Sequence, residues 1–163
     1  MQFTLNEIQK EIKENSTKLL KENIDLLETI QKVDDNCRLD ENIWKLVIEQ
    51  GWLALDVPES DGGLGFSNTD TAILSEVLGY YMPIIPLFSS GVVFKNLLLL
   101  SNENIKNTIL PEIISGEKIG TYCVYENDKY LTSSDEISTT LTKDKNGYIL
   151  NGRTKCNPQT RNV

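Results

Sequence analysis

Apolar positions recur at helical spacing through the first two-thirds of the chain and at strand spacing afterwards. Leu5, Ile8, Ile12, Leu19 and Leu20 fall on one face of a first helix, with Asn6 as its cap. A second run, through Leu26, Ile30 and Val33, fades at Asp34, Asp35 and Asn36. Asp40 predicts the start of a third helix bearing Trp44, Val47 and Ile48, and Gly51 predicts its end. Ile73, Leu74, Val77, Leu78 and Tyr81 give the cleanest stripe, and so a fourth helix, which Pro83 and Pro86 break. Another helix begins near Phe88. Val92, Val93, Phe94 and the leucines at 97–100 make it apolar around most of its circumference, which predicts burial on several sides. A short helix over 103–115, with Pro111 opening a fresh first turn, stops at Gly116.

The period changes after Lys118. Tyr122, Cys123, Val124 and Tyr125 are β-prone, and Ile137, Thr139 and Leu141 alternate with polar neighbours as in a half-buried strand. Asn146-Gly147 and Asn151-Gly152 are turn signals. The expected class is α+β: an all-helical N-terminal domain over 1–118, then a partial antiparallel β-domain over 119–163. A strand region of that length cannot close a barrel and leaves unpaired edges. The sheet is therefore expected to be truncated, or to be covered by a partner.

Charge and composition narrow the chemistry. Sixteen basic against twenty-four acidic residues give a formal charge of −8, with no basic stripe, which argues against nucleic acid and anionic membrane as partners. There is no histidine, so His-based triads and His metal sites are excluded. Cys37, Cys123 and Cys156 are odd in number and far apart, the usage of a reduced cytoplasmic protein. The apolar stretch 82–100 is broken by two prolines, two serines, Lys95 and Asn96, so no membrane span is expected. The charged, amphipathic first thirty residues do not read as a targeting segment. No metal site is nominated.

The loop after Pro58 holds Gly62, Gly63 and Gly65 within four positions, which requires positive φ or a close backbone approach. It lacks the lysine and strand–loop–helix setting of a phosphate cradle and reads as a tight connector. Three segments, GWLALDVPESDGGLG, EVLGYYMPIIP and LPEIISGEK, together resemble the N-terminal helical domain of acyl-CoA dehydrogenases. After them, Tyr122-Cys123-Val124-Tyr125-Glu126 and the later Ser133-Ser134-Asp135 resemble that family's flavin-facing strand and its Gly-Ser-Asp turn.

The resemblance implies FAD as cofactor and an acyl-CoA thioester as substrate, with α-proton abstraction coupled to hydride transfer to the flavin. It places Tyr122, Val124 and Tyr125 on the flavin-facing strand and Ser134 at the later hydroxyl position. It puts Ser89, Ser90, Gly91 and Val92 on the helix that walls the acyl chain. Departures are visible: Tyr125 stands for the family threonine, Asn127 for proline, Ser133 for glycine, and Cys156-Asn157-Pro158 where Trp-Ile-Thr is usual. The family's catalytic carboxylate comes from a second helical bundle beyond the sheet, so no catalytic residue is nominated; Glu49, Glu59 and Glu76 read as solvated or capping. Two functions follow from the resemblance. One is a piece of an FAD-dependent acyl-CoA dehydrogenase, inactive alone. The other is a non-catalytic subunit or interaction module that docks on a homologous, fuller partner.

Overall fold

Four of the longer helices start where a side chain replaces a missing backbone partner. In the computed structural model, which describes residues 4–126, 129–130, 133–145 and 147–156, helix α1 (Glu7–Asn23) opens with a reciprocal cap. Asn6 Oδ1 accepts from Gln9 N at 2.8 Å, and Gln9 Oε1 accepts from Asn6 N at 3.1 Å. Asp25 caps α2 (Leu26–Asp34), and Asp40 caps α3 (Glu41–Glu49) by accepting from Ile43 N at 3.2 Å. Gly51, at φ 69°, ends α3 as expected. Helix α4 (Asn68–Tyr81) starts where the Asp70 carboxylate accepts from Ser67 N at 2.8 Å and from Ser67 Oγ at 2.6 Å.

The chain divides into two units between Gly120 and Thr121. In the helical unit, Leu20, Trp44, Val47, Leu53, Leu74, Val77 and Leu87 form the main core, and Val57, Leu98, Leu110 and Ile113 a second cluster. The α4 stripe is buried at all four of its aliphatic positions. The α1 stripe is narrower than its sequence suggests: Ile12 is half-buried, Ser16 and Leu20 are buried, and Ile8 faces solvent. Helix α2 buries none of its residues.

Two helical expectations need correction. The helix expected near Phe88 is a π-helix, Leu87–Phe94, that runs into α5 (Lys95–Leu99). It is not apolar on every buried face: Ser89, Ser90, Gly91 and Lys95 point inward while Phe88, Leu97 and Leu100 are exposed. Helix α6 (Glu103–Ile114) is continuous through Pro111, which forfeits one backbone bond without starting a new helix.

The glycine loop folds back along 54–57. Gly63, Leu64, Gly65 and Phe66 donate their N–H groups to the carbonyls of Pro58, Ala54, Val57 and Leu55, at 3.1, 3.0, 2.8 and 3.0 Å. Gly62 and Gly65 adopt left-handed φ values of 85° and 69°. Gly63 does not; a Cβ there would collide with the Val57 backbone. Both reasons for glycine therefore operate, at different positions.

All strand pairs of the second unit are antiparallel. One sheet has the order β2 (Lys129–Tyr130), β1 (Cys123–Glu126), β5 (Thr154–Cys156); β3 (Thr140–Asp144) and β4 (Gly147–Asn151) form a hairpin. The half-buried strand expected through Ile137 and Thr139 is not formed there. It begins at Thr140, and every residue of β3 and β4 is exposed, since among the described residues no second layer covers the hairpin. Asn151-Gly152 does not close a second hairpin: the chain leaves β4 and pairs with β1 instead.

Candidate functional site

The four expected substrate-wall residues occupy consecutive positions within about one turn of the π-helix. Small side chains allow that helix to approach the turn Trp52–Ala54 closely: a Cβ on Gly91 would lie 2.8 Å from Leu53 Cδ2 and 3.1 Å from Leu87 Cδ1. Ser89 Oγ donates to the Pro86 carbonyl at 3.2 Å. Ser90, fully buried, accepts from Gly120 N at 3.0 Å. Val92 is half-buried. Three of the four thus face the packed side of the helix, and Val92 lies at its margin. π-Helical turns are frequent at functional sites.

Directly after the π-helix, the Lys95 ammonium pairs with the Asp56 carboxylate, with side chains only 1% and 4% exposed. A buried ion pair holds two elements in one register because either charge alone would be stranded in a dry interior. Here it ties α5 to the segment along which the glycine loop is laid. From the sequence, Lys95 stood out only as a break in an apolar stretch, and Asp56 did not stand out. The available signal was a single lysine in an otherwise apolar run, which needs an acid nearby, and a single aspartate between Leu55 and Val57.

The glycine loop offers no anion cradle. Its N–H groups at 62–66 are consumed by the chain's own carbonyls. Lys106 donates to Asp61 of the same loop at 3.0 Å, and this hydrogen bond, aided by one that Lys106 donates to Glu103, holds the ammonium protonated more firmly than usual. Glu49 and Glu76 are exposed and pair with Lys45 and Lys13, and Glu59 is exposed. A groove of about 540 Å³ lies between α1 and α4, lined by Lys13, Thr17, Glu76, Val77, Tyr80 and Tyr81; none of the wall residues lines it.

In the second unit, Tyr122 precedes β1 and is half exposed. Val124 and Tyr125 lie within β1, and Ser134 opens a 3-10 turn, Ser134–Glu136. Cys123 is opposite Cys156 and Tyr125 opposite Lys155, so Val124 is an extra residue with no partner across the ladder. Such bulges redirect backbone groups and cluster beside active sites. Asn127, Asn157 and Pro158, the other noted departures, lie outside the described residues.

Glu126, next in the strand, is held on both carboxylate oxygens. Buried, it accepts from Ser138 N at 2.6 Å and Thr139 N at 3.1 Å and also from both hydroxyls. The Ser138 and Thr139 hydroxyls, with the two amides, hold its carboxyl down at about 2. This clasp fixes the end of β1 to the segment leading into β3. Its acceptor role was not legible, since its donors lie twelve and thirteen residues away and were expected to form strand.

Among the described residues no cluster of acids or cysteines could hold a metal ion, and no helix is long and apolar enough to cross a membrane. The family model for the N-terminal domain of acyl-CoA dehydrogenases matches residues 6–117. The chain belongs to the acyl-CoA dehydrogenase family. It is 29% identical over 153 residues to human mitochondrial very long-chain specific acyl-CoA dehydrogenase, covering 86% of this chain and 23% of that protein. It is 28% identical over 155 residues to isovaleryl-CoA dehydrogenase of Bos taurus, covering 91% and 35%. Among solved structures, a chain of the ChsE4-ChsE5 complex from Mycobacterium tuberculosis superposes with a TM-score of 0.77 at 22% identity, over 93% of this chain and 40% of that one. The glutaryl-coenzyme A dehydrogenase glutaryl-CoA complex superposes with 0.75 at 20%, over 93% and 39%. This acyl-CoA dehydrogenase-like chain thus spans about a quarter to two-fifths of the length of these relatives.

Proposed function

We propose that the chain supplies one wall of the active-site cleft of an FAD-dependent acyl-CoA dehydrogenase, which desaturates an acyl-CoA thioester between its α and β carbons. The observation that carries the reading is the family match over 6–117, joined to relatives named for acyl-CoA substrates. In this reading the π-helix bearing Ser89, Ser90, Gly91 and Val92 shapes the acyl side of the cleft, and its dense packing keeps water from that side. The main chain of Tyr122, Val124 and Tyr125, with Ser134, meets one edge of the flavin.

The residues fit that group on one edge. The Val124 bulge frees backbone from the β1–β5 ladder, and the Glu126 clasp holds the strand still beside it. FAD, when bound, supplies the hydride acceptor. The base that removes the α-proton lies outside this chain: Glu49, Glu59 and Glu76 are solvated, whereas a catalytic carboxylate must sit within reach of its proton in a shielded pocket.

A second reading is a non-catalytic subunit that docks on a homologous, fuller partner. Tyr125, Asn127 and Ser133, which replace family residues at the flavin edge, favour it, and a neighbour in fold was solved as a two-component complex.

Intact mass and visible spectrum of the protein purified from its own cells test the choice. A longer polypeptide with flavin bands supports the first reading, and a 163-residue species bound to a flavoprotein supports the second. A colourless 163-residue monomer without a partner contradicts both.

A further inference from the structure

Helix α2 has four apolar residues among nine, yet none of its residues is buried: Leu26, Leu27, Ile30 and Val33 are 51%, 77%, 50% and 56% exposed. At 3.6 residues per turn, Val33, Leu26 and Ile30 fall within about 60° of arc, and Leu27 flanks them. A helix this short draws little stability from its own backbone and normally relies on a packed face. Its anchors Leu26, Ile30 and Val33, spaced i, i+4 and i+7, are those of a helix read by another helix or groove.

The charges say which kind of surface fits. Asp34 falls on the helical wheel between Ile30 and Leu27, within the apolar stripe, and makes no ion pair among the described residues. Asp34 and Asp35 also sit at the C-terminal end of the helix, where its dipole favours cations. Lys32, the cation at that end, is already held by Glu28 and Asp40 at 2.8 Å each. An external cation is what this end lacks.

A second copy of the chain is the wrong occupant. Parallel pairing of two α2 helices sets Asp34 against Asp34, a like-charge contact added to a formal charge of −8 per chain. Antiparallel pairing through the same stripe lays Asp34 on Leu26 and Leu27, where no cation meets it. The strip also presents far less than the roughly 800 Å² per partner of a stable interface, so the contact is transient.

We propose that α2 is a docking strip for a different protein, which lays on it an apolar helix carrying a lysine or arginine opposite Asp34. The test places a photo-crosslinking residue at Leu27 of the full chain in its own cells and identifies the cross-linked peptide by mass spectrometry. A probe at Lys45, exposed on α3, is the control. The expected adduct is to one other protein, at an apolar helical segment with a basic residue. Asp34→Lys lowers its yield at least tenfold, Asp34→Asn lowers it less, and reversing the partner's basic residue to glutamate restores it with Asp34→Lys. Circular dichroism of Asp34→Lys matches wild type, because the side chain is exposed. The proposal is overturned by adducts to a second copy, to another segment of the same polypeptide or to a segment without a basic residue. It is equally overturned by a yield indifferent to Asp34→Lys, or by none above the control.

Discussion

Lys95 carries a charge into the driest part of the helical unit, and Asp56 is the reason it can. Removing one partner strands the other, so Lys95→Met should cost about 3–5 kcal/mol in urea unfolding. Adding Asp56→Leu should recover most of that loss, and a double variant no more stable than the single one would contradict the pairing. Gly63 and Gly62 separate two uses of glycine. Gly63→Ala forces a Cβ into the Val57 backbone and should cost about 1–3 kcal/mol. Gly62→Asn should cost less, since asparagine visits the left-handed region.

Asp70 gives a pH signature. Burial raises its carboxyl's pKa, but hydrogen bonds from the Ser67 hydroxyl, Ser67 N and Gln9 outweigh it and leave the group below its ordinary value. A lowered folded value stabilises above the unfolded pKa of about 4 and is lost as pH falls through the folded one. The stability gap between wild type and Asp70→Asn should therefore be constant near neutrality and close in acid. The caps Asn6 and Asp40 could be read from residue type and spacing alone. Lys95 could not, because its partner lies 39 positions away.

At the scale of elements, the Glu126 clasp is the sharpest case. Ser138 and Thr139 hold its carboxyl at about 2, so its contribution is complete above the ordinary glutamate value and disappears as pH falls toward about 2. Glu126→Gln should raise hydrogen exchange at the Ser138 and Thr139 amides while leaving exchange in α4 unchanged; equal protection in both proteins would rule the clasp out. Helix α3 was legible because a cap, an apolar period and a stop coincide; α1 followed from its cap and period, and α4 from its period and the prolines that end it. The π-helix was not, since widening a helix by one residue per turn leaves no mark in an apolar run. The turn signal ahead of Tyr148 was legible, but the hairpin's register and exposure were not, because burial depends on what packs against it.

For the whole chain, the order of helices before antiparallel strands was visible in the change of period after Lys118, and the family in three separated segments. The site was legible only as positions. Ser89, Ser90 and Gly91 are occupied in packing and hydrogen bonding, and Val124 acquires its bulge only through pairing with β5. Neither is encoded locally. The central proposal is that this chain furnishes a wall and one flavin edge, while the proton-abstracting side lies elsewhere. Titrating FAD into the purified 163-residue chain, then adding an acyl-CoA and an electron-accepting dye, tests it most directly. No stoichiometric flavin binding and no dye reduction are expected; a monomer that holds one FAD and bleaches the dye with the thioester would contradict the proposal.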